Sequence, residues 1–409
     1  MKKLFFCLLL ALGAINAKAQ RDSLDIKIGQ MILIGMPKAE VDSSVLDEIR
    51  QGKVGSIIYF EDNIPKSSSA FASFKKMSWT YQKAAPIPLF ICIDQEGGKV
   101  NRLREKYGFT RSVTAEAIGK SKSLDSVRFY AEATAATLAG LGINVNFAPC
   151  VDLAANPNNP VIAKIGRAYS ANEDTVILFA KEVVKQHRRF GIVTALKHFP
   201  GHGSSKDDTH LGLTDVTNTW TSRELKPYQA LIDSGYVDGI MSSHIINKKL
   251  DRKALPGTLS KSILDSLLRK RLHFQGVVFS DAMEMKAISS NYGLEEAIKL
   301  SVNAGIDILC FAHNIPGADE KTGEVVHGMI RKFVVSGEIP KARIDESYKR
   351  IMRLKKSMKN QNEQIKKVIQ EMQKMNQLHR QEMNQAFEER KNIEKLLTKK
   401  QRRKLKLIK

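Results

Sequence analysis

The sequence predicts an α/β fold: a (β/α)8 TIM-type barrel with an added C-terminal amphipathic helical tail. Three observations predict it. Eight short apolar runs recur between residues 31 and 310. Segments with helical spacing, start signals and stop signals lie between them. Polar residues able to do chemistry stand at the ends of several runs, where a parallel barrel places its active site.

The runs are Met31–Gly35, Gly55–Phe60, Pro88–Ile93, Asn144–Ala148, Val193–Lys197, Gly239–Ser243, Gly276–Ser280 and Ile306–Cys310. They are short and mostly β-branched, aromatic or leucine-rich, as strands buried on both faces must be. Between them, Ser123–Leu141 opens at a Ser cap, carries Asp125 in its first turn and ends before Gly142. Asn172–Phe190 opens on acidic residues and ends at Gly191. Thr221–Ser234 begins Thr221-Ser222-Arg223-Glu224, which fits a capping box, with Pro227 placed to delay or kink its start. Ser260–Arg271 and Leu294–Ala304 complete the set. A doubly wound open sheet is the alternative architecture before motifs are weighed.

Residues 1–19 read as a secretory leader: Lys2 and Lys3, an apolar run Leu4–Ile15, and a small-x-small site at Ala17-Lys18-Ala19. The run is short for a retained membrane anchor. The expected divisions are 1–19 leader, 20–356 barrel and 357–409 basic helical tail, with the protein exported to the periplasm or outside the cell. The length allows two domains at roughly 100–200 residues each, but a barrel of this size counts as one. Cys92, Cys150 and Cys310 are odd in number, widely spaced and set in apolar runs. They read as buried thiols, not as a disulfide framework or a zinc site.

Formal charge is +22, and residues 355–409 alone carry 17 Lys/Arg against 6 Asp/Glu, half of the excess. A basic tail can bind nucleic acid. In an exported protein its partners are instead anionic envelope polymers or lipid, so no nucleic-acid partner is expected. Ile365, Val368, Ile369, Met372, Met375, Leu378 and Met383 trace a rough apolar stripe that suits a tethering or self-associating helix.

The rim residues carry the chemistry. Asp281 ends the run Val277-Val278-Phe279-Ser280; a carboxylate at a strand tip can attack an anomeric carbon, or merely cap the next helix. Lys197-His198-Phe199-Pro200-Gly201-His202-Gly203 contains a proline and two glycines, which predict a mobile rim loop. It leads to Asp208-Thr209-His210, where the carboxylate can orient the imidazole across a turn, unless both are solvated loop residues. His198, His202 and His210 lack the helical spacing of a zinc-protease site, so no metal is expected. After the third run, Asp94 can accept hydrogen bonds from vicinal sugar hydroxyls, with Gly97-Gly98 permitting close backbone approach. Arg102 then serves a hydroxyl or Asp94 itself, or only a surface ion pair. Arg167 ends a stiff loop, Asn156–Ser170, and either reaches the pocket or is solvated.

Three stretches together resemble glycoside hydrolase family 3, most closely its single-domain β-N-acetylglucosaminidase branch. They are Ile93-Asp94-Gln95-Glu96-Gly97-Gly98-Lys99-Val100-Asn101-Arg102-Leu103, the Lys197–Gly203 run with Asp208 and His210, and Ser280-Asp281-Ala282-Met283. The resemblance spans about residues 25 to 354. It implies Asp281 as nucleophile, His210 as acid/base oriented by Asp208, and Asp94, Arg102, Arg167, Lys197 and His198 as sugar-binding residues. It implies a retaining hydrolase acting on terminal β-linked N-acetylglucosamine in peptidoglycan fragments or other glycans, with no cofactor. The chain departs from the family at Ile165-Gly166-Arg167-Ala168-Tyr169-Ser170 and in the polar stretch Ser204-Ser205-Lys206-Asp207. Three other readings stand beside this one: a β-glucosidase, a phosphorylase on the same fold, and a non-catalytic glycan-binding barrel.

Overall fold

The computed structural model describes residues 24–66, 69–312 and 321–358. The leader and the tail from Lys359 onward lie outside them. In chain order the strands are β1 (Ile32–Gly35), β2 (Ser56–Tyr59), β3 (Phe90–Ile93), β4 (Val145–Asn146), β5 (Val193–Phe199), β6 (Thr214–Asp215), β7 (Gly239–Ser242), β8 (Ile245–Ile246), β9 (Val277–Ala282) and β10 (Ile308–Phe311). Eight of them close a parallel barrel in the order β1–β2–β3–β4–β5–β7–β9–β10, and β6 and β8 form a separate short pair. Leu33 lies opposite both Cys310 on β10 and Ser56 on β2, so β1 seals the ring.

All eight barrel strands fall on the predicted apolar runs, because a strand covered by side chains within and helices outside has no polar face. The interior is filled from opposite walls. Phe279 of β9 meets Phe147 edge-on with ring centres 5.2 Å apart, and Phe90 of β3 at 6.3 Å, the geometry that ring quadrupoles favour. Cys92, Cys150 and Cys310 are buried and free, as their apolar neighbours suggest.

Local signals explain several of the helices. Ser123 Oγ accepts the Ser126 N–H to start Leu124–Leu141, which ends at Gly142 with φ +80°. Asn172 caps Glu173–Arg189, whose acidic first turn and basic last turn match the helix dipole. Leu294–Ala304 is helical as predicted, and Ser262–Arg271 forms a wide, π-type helix.

The capping box at Thr221 does not form. Thr221 makes no side-chain cap bond, and Glu224 turns inward to accept the Gly203 N–H at 2.8 Å. A 3₁₀ turn, Ser222–Leu225, comes first, and the α-helix Lys226–Asp233 begins one residue before Pro227, as that proline's position anticipates.

Below β10, fully buried Asp307 receives Arg269 at 2.7 Å, Arg343 at 2.9 Å and Arg350 at 3.1 Å. This cluster ties the segment that follows residue 340 to the last strand, at the end of the barrel opposite the mouth.

Candidate active site

The mouth at the C-terminal ends of the strands holds a cavity of about 430 Å³. Asp94, Arg102, Arg167, Lys197, His198, His210 and Asp281 all line it. Asp208, the eighth residue singled out in the sequence, stands behind His210 and bonds its Nδ1 at 2.7 Å. The carboxylate of Asp208 also accepts the His210 backbone N–H at 2.8 Å, which fixes the turn.

Asp281 lies within β9 rather than beyond it. It does not cap a helix: the next one, Lys286–Ser289, is preceded by Met285. Its Oδ1 accepts the Ala282 N–H at 2.8 Å. Burial opposes its charge, yet His244, His198, the Ala282 N–H and His210 outweigh burial and hold the carboxyl below its ordinary value. Asp281 is therefore anionic and aimed into the cavity.

Across the cavity runs a ladder of alternating charge. Lys197 Nζ lies 2.7 Å from Asp94 Oδ1 and 2.5 Å from Glu96 Oε1. Arg167 grips Glu96 with two bonds, of 2.8 and 2.7 Å, and reaches His198 Nε2 at 3.0 Å. His198 Nδ1 bonds Asp152 at 2.6 Å. At the open end Arg102 stands 3.4 Å from Asp94 and 5.2 Å from the Phe60 ring centre. Burial would raise both Asp94 and Glu96, but Lys197 and Arg102 hold Asp94 low, and Arg167 and Lys197 hold Glu96 low. Arg167 is thus a buried, bidentate partner, not a solvated loop arginine, and Arg102 is a partner of Asp94. Bidentate pairs of this kind fix orientation as well as charge.

Two expectations need correction. Residues Lys197–Gly203 are not a mobile loop. Lys197, His198 and Phe199 belong to β5, and residues 200–205 are buried beneath the rim. Their backbone is held from both sides: Asp152 accepts the N–H groups of His198 and His202, and Asn159 donates to the carbonyls of His202 and Gly203. Only the stretch beyond Ser205 reaches outward, and the His210 side chain is 64% exposed. Nor do Gly97 and Gly98 clear space for a ligand. Both have positive φ, and a Cβ at either would strike Val113 or Thr114 at 2.4 Å. Their close approach is to this chain's own Val113 carbonyl and Thr114 side chain.

Glu96, Asp152 and His244 belong to the site without a role that their local sequence predicts. Glu96 lies two residues after Asp94 in the same motif. His244 follows directly on the run Gly239–Ser243. Its Nε2 donates to the Ala282 carbonyl and its Nδ1 bonds Thr258 Oγ1, each at 2.9 Å, directly beside Asp281. Asp152 hides among apolar neighbours, and burial opposed by His198 holds it at about 2. Cys150, Asp152 and His198 bring their donor atoms within 4.8 Å of one another. Those donors engage each other: Cys150 Sγ and His198 Nδ1 both bond the Asp152 carboxylate.

The model of the glycosyl hydrolase family 3 N-terminal domain matches residues 23–354. The chain is 33% identical over 319 residues to beta-hexosaminidase A of Pseudoalteromonas piscicida, covering 74% of this chain and 53% of that protein. It therefore spans about half of that relative's length. It is 32% identical to the beta-hexosaminidase of Tolumonas auensis, over 70% of this chain and 84% of that one. Among solved structures, a family 3 beta-N-acetylglucosaminidase from Paenibacillus superposes with a TM-score of 0.76 at 34% identity, over 82% of this chain and 62% of that one. The beta-N-acetylhexosaminidase of Beutenbergia cavernae gives 0.73 at 26% identity, over 81% and 98%. The match over nearly the whole described barrel, together with the closed fold, shows that this chain belongs to glycoside hydrolase family 3.

Proposed function

We propose that the protein is a retaining β-N-acetylglucosaminidase that releases terminal β-linked N-acetylglucosamine through a covalent glycosyl-aspartate. The observation that carries this reading is that Asp281 and His210, far apart in sequence, line one sugar-sized cavity with the Asp94–Lys197–Glu96–Arg167–His198 ladder. Relatives named beta-hexosaminidase and beta-N-acetylglucosaminidase support the same substrate class.

In this reading the anionic Asp281 attacks the anomeric carbon while the imidazolium of His210 gives its proton to the departing oxygen. The neutral imidazole then takes a proton from water, which attacks the same carbon and restores Asp281, so configuration is retained. Asp208 holds the imidazole in one tautomer and stabilises its charged form. Asp94 and its cationic partners grip the sugar hydroxyls. Because the base is uncharged, an anionic leaving sugar meets no repulsion from it. The same logic admits phosphate as acceptor in place of water.

Export through the 1–19 leader, action on peptidoglycan fragments in the periplasm or outside the cell, and contact of the basic tail with anionic envelope polymers or with a second copy complete the proposal. The composition of the first and last segments supports them. A panel of aryl β-glycosides with and without the 2-acetamido group tests the substrate. Turnover confined to the acetamido sugars is expected; equal or exclusive turnover of glucosides overturns the reading. Running the assay in phosphate buffer separates free sugar from sugar phosphate.

A further inference from the structure

The loop that bears His210 is fastened from below by a carboxylate that the proposed chemistry does not use. Glu224 lies outside the cavity lining and is 2% exposed. Its Oε2 accepts the Gly203 N–H at 2.8 Å, and the Ser204 hydroxyl adjoins the same carboxyl. The backbone at Gly201 passes so close that a Cβ there would lie 2.5 Å from the Glu224 Cβ, and its φ of +118° excludes most side chains. Four residues before Glu224, the Trp220 indole donates to the Pro200 carbonyl at 3.1 Å. The segment around Ser222–Leu225 therefore grips residues 200–204 at two points.

From there a chain of contacts runs to the acid/base. His202 Nε2 lies 3.4 Å from Thr209 Oγ1. The Thr209 carbonyl accepts the Ala287 N–H, at 3.3 Å, from the helix that follows β9. His210 comes next in sequence. We propose that Glu224 is a positioning residue for the acid/base, holding the stem of the loop so that Thr209, and with it His210, stays registered to the strand that carries Asp281. This inference rests on the reading of His210 given above. A carboxyl oxygen suits the task because it takes the buried Gly203 N–H, a donor that an alanine would leave unmet. The alternative is that Glu224 only stabilises the fold.

Protonation of the leaving group separates the two. kcat/KM is compared for phenyl and 2,4-dinitrophenyl β-N-acetylglucosaminides, since the second leaves without help. Glu224→Ala should lower the phenyl value by roughly 10- to 100-fold and the dinitrophenyl value by less than about threefold, a part of the usual general-acid effect. Glu224→Gln, which keeps one acceptor, should restore the phenyl value to within about threefold. Equal losses on both substrates, or no loss on either, overturn the proposal. If Glu224→Ala does not fold, Glu224→Leu fills the space without an acceptor and carries the same expectation; failure of both to fold assigns Glu224 to stability and also overturns it. If the wild type hydrolyses neither substrate, or His210→Ala shows no leaving-group dependence, it is the underlying reading that fails.

Discussion

The ammonium of Lys197 sits 2.7 Å from the carboxylate of Asp94, with only 2% of the lysine side chain exposed and 14% of the aspartate. A second carboxylate, Glu96, approaches the same ammonium at 2.5 Å. Two anions this close tolerate burial because this cation lies between them, with Arg102 and Arg167 on their far sides.

Lys197→Met should therefore disturb more than one contact. Asp94 would keep only Arg102 at 3.4 Å, and its carboxyl would rise as burial went unopposed. Removing one partner of a buried pair costs about 3–5 kcal/mol. We expect a lower Tm and a drop in kcat/KM of roughly 10²-fold or more, comparable to loss of a preorganised polar group. Lys197→Arg should not rescue, because a planar fork cannot occupy a point between two carboxylates. Wild-type kinetics in the arginine variant would refute the ladder as a built site.

Asp281→Ala should abolish turnover, with a loss of roughly 10⁴-fold or more expected for a covalent nucleophile. The fold should survive, since among the described residues the Asp281 side chain bonds only the Ala282 N–H. Because its neighbours keep Asp281 below the ordinary value of 3.8, it stays ionised down to that pH. The acid limb of kcat/KM from this group should therefore lie below pH 3.8, and an unmodified limb in Asp281→Glu would deny it the role. Circular dichroism alongside the assay separates inactivity from unfolding.

His210→Ala and Asp208→Asn form a graded pair. The first removes the proton donor and should slow substrates with poor leaving groups by about 10²–10⁴-fold, sparing good ones. The second keeps a hydrogen-bond acceptor at 2.7 Å but loses the charge that stabilises the imidazolium. It should reproduce the same leaving-group dependence at smaller magnitude. Identical losses on good and poor leaving groups in both variants would remove His210 from the acid role.

The barrel was legible because burial on both faces forces apolar runs, and all eight strands lie on them. β4 is the shortest of the eight: Asn146 still pairs with Ile93 and Thr194 in the ladder, while its buried side chain bonds Gln95 and His187. Strand tips were legible as the place for chemistry, and Asp281, Lys197 and His198 lie there. Partners were not. Asp152 meets His198 across 46 residues and Glu96 meets Arg167 across 71, separations that no local pattern encodes. Glu224 departs from its local signal for the opposite reason: a capping pattern is present, but the buried donor at Gly203 takes the carboxyl instead. The glycines and proline after Lys197 signalled flexibility, yet at Gly201 and Gly203 they reflect tight packing, with Leu153 and Glu224 leaving no room for a side chain.

Lys355 offers a test of the barrel's lower end that is independent of the active site. Its ammonium is buried, donating to Gln30 Oε1 at 2.6 Å and the Gly55 carbonyl at 3.0 Å, and lies 4.7 Å from the Phe90 ring centre. No carboxylate neutralises it among these contacts, and burial pulls its pKa from 10.5 down to about 7. The sign follows from which state binds the proton more tightly. Between about 7 and 10.5 the unfolded chain holds a proton that the folded chain releases, so stability rises with pH through that window. The slope from this one group approaches ~1.4 kcal/mol per pH unit. Lys355→Met keeps the length and removes the charge, at the cost of leaving two acceptors without their donor. Its denaturation midpoint should vary less between pH 7 and 9 than that of the wild type, so the two curves converge as pH falls and separate as it rises. Parallel curves over that range would mean that the ammonium is solvated and the lower end of the barrel is open to water.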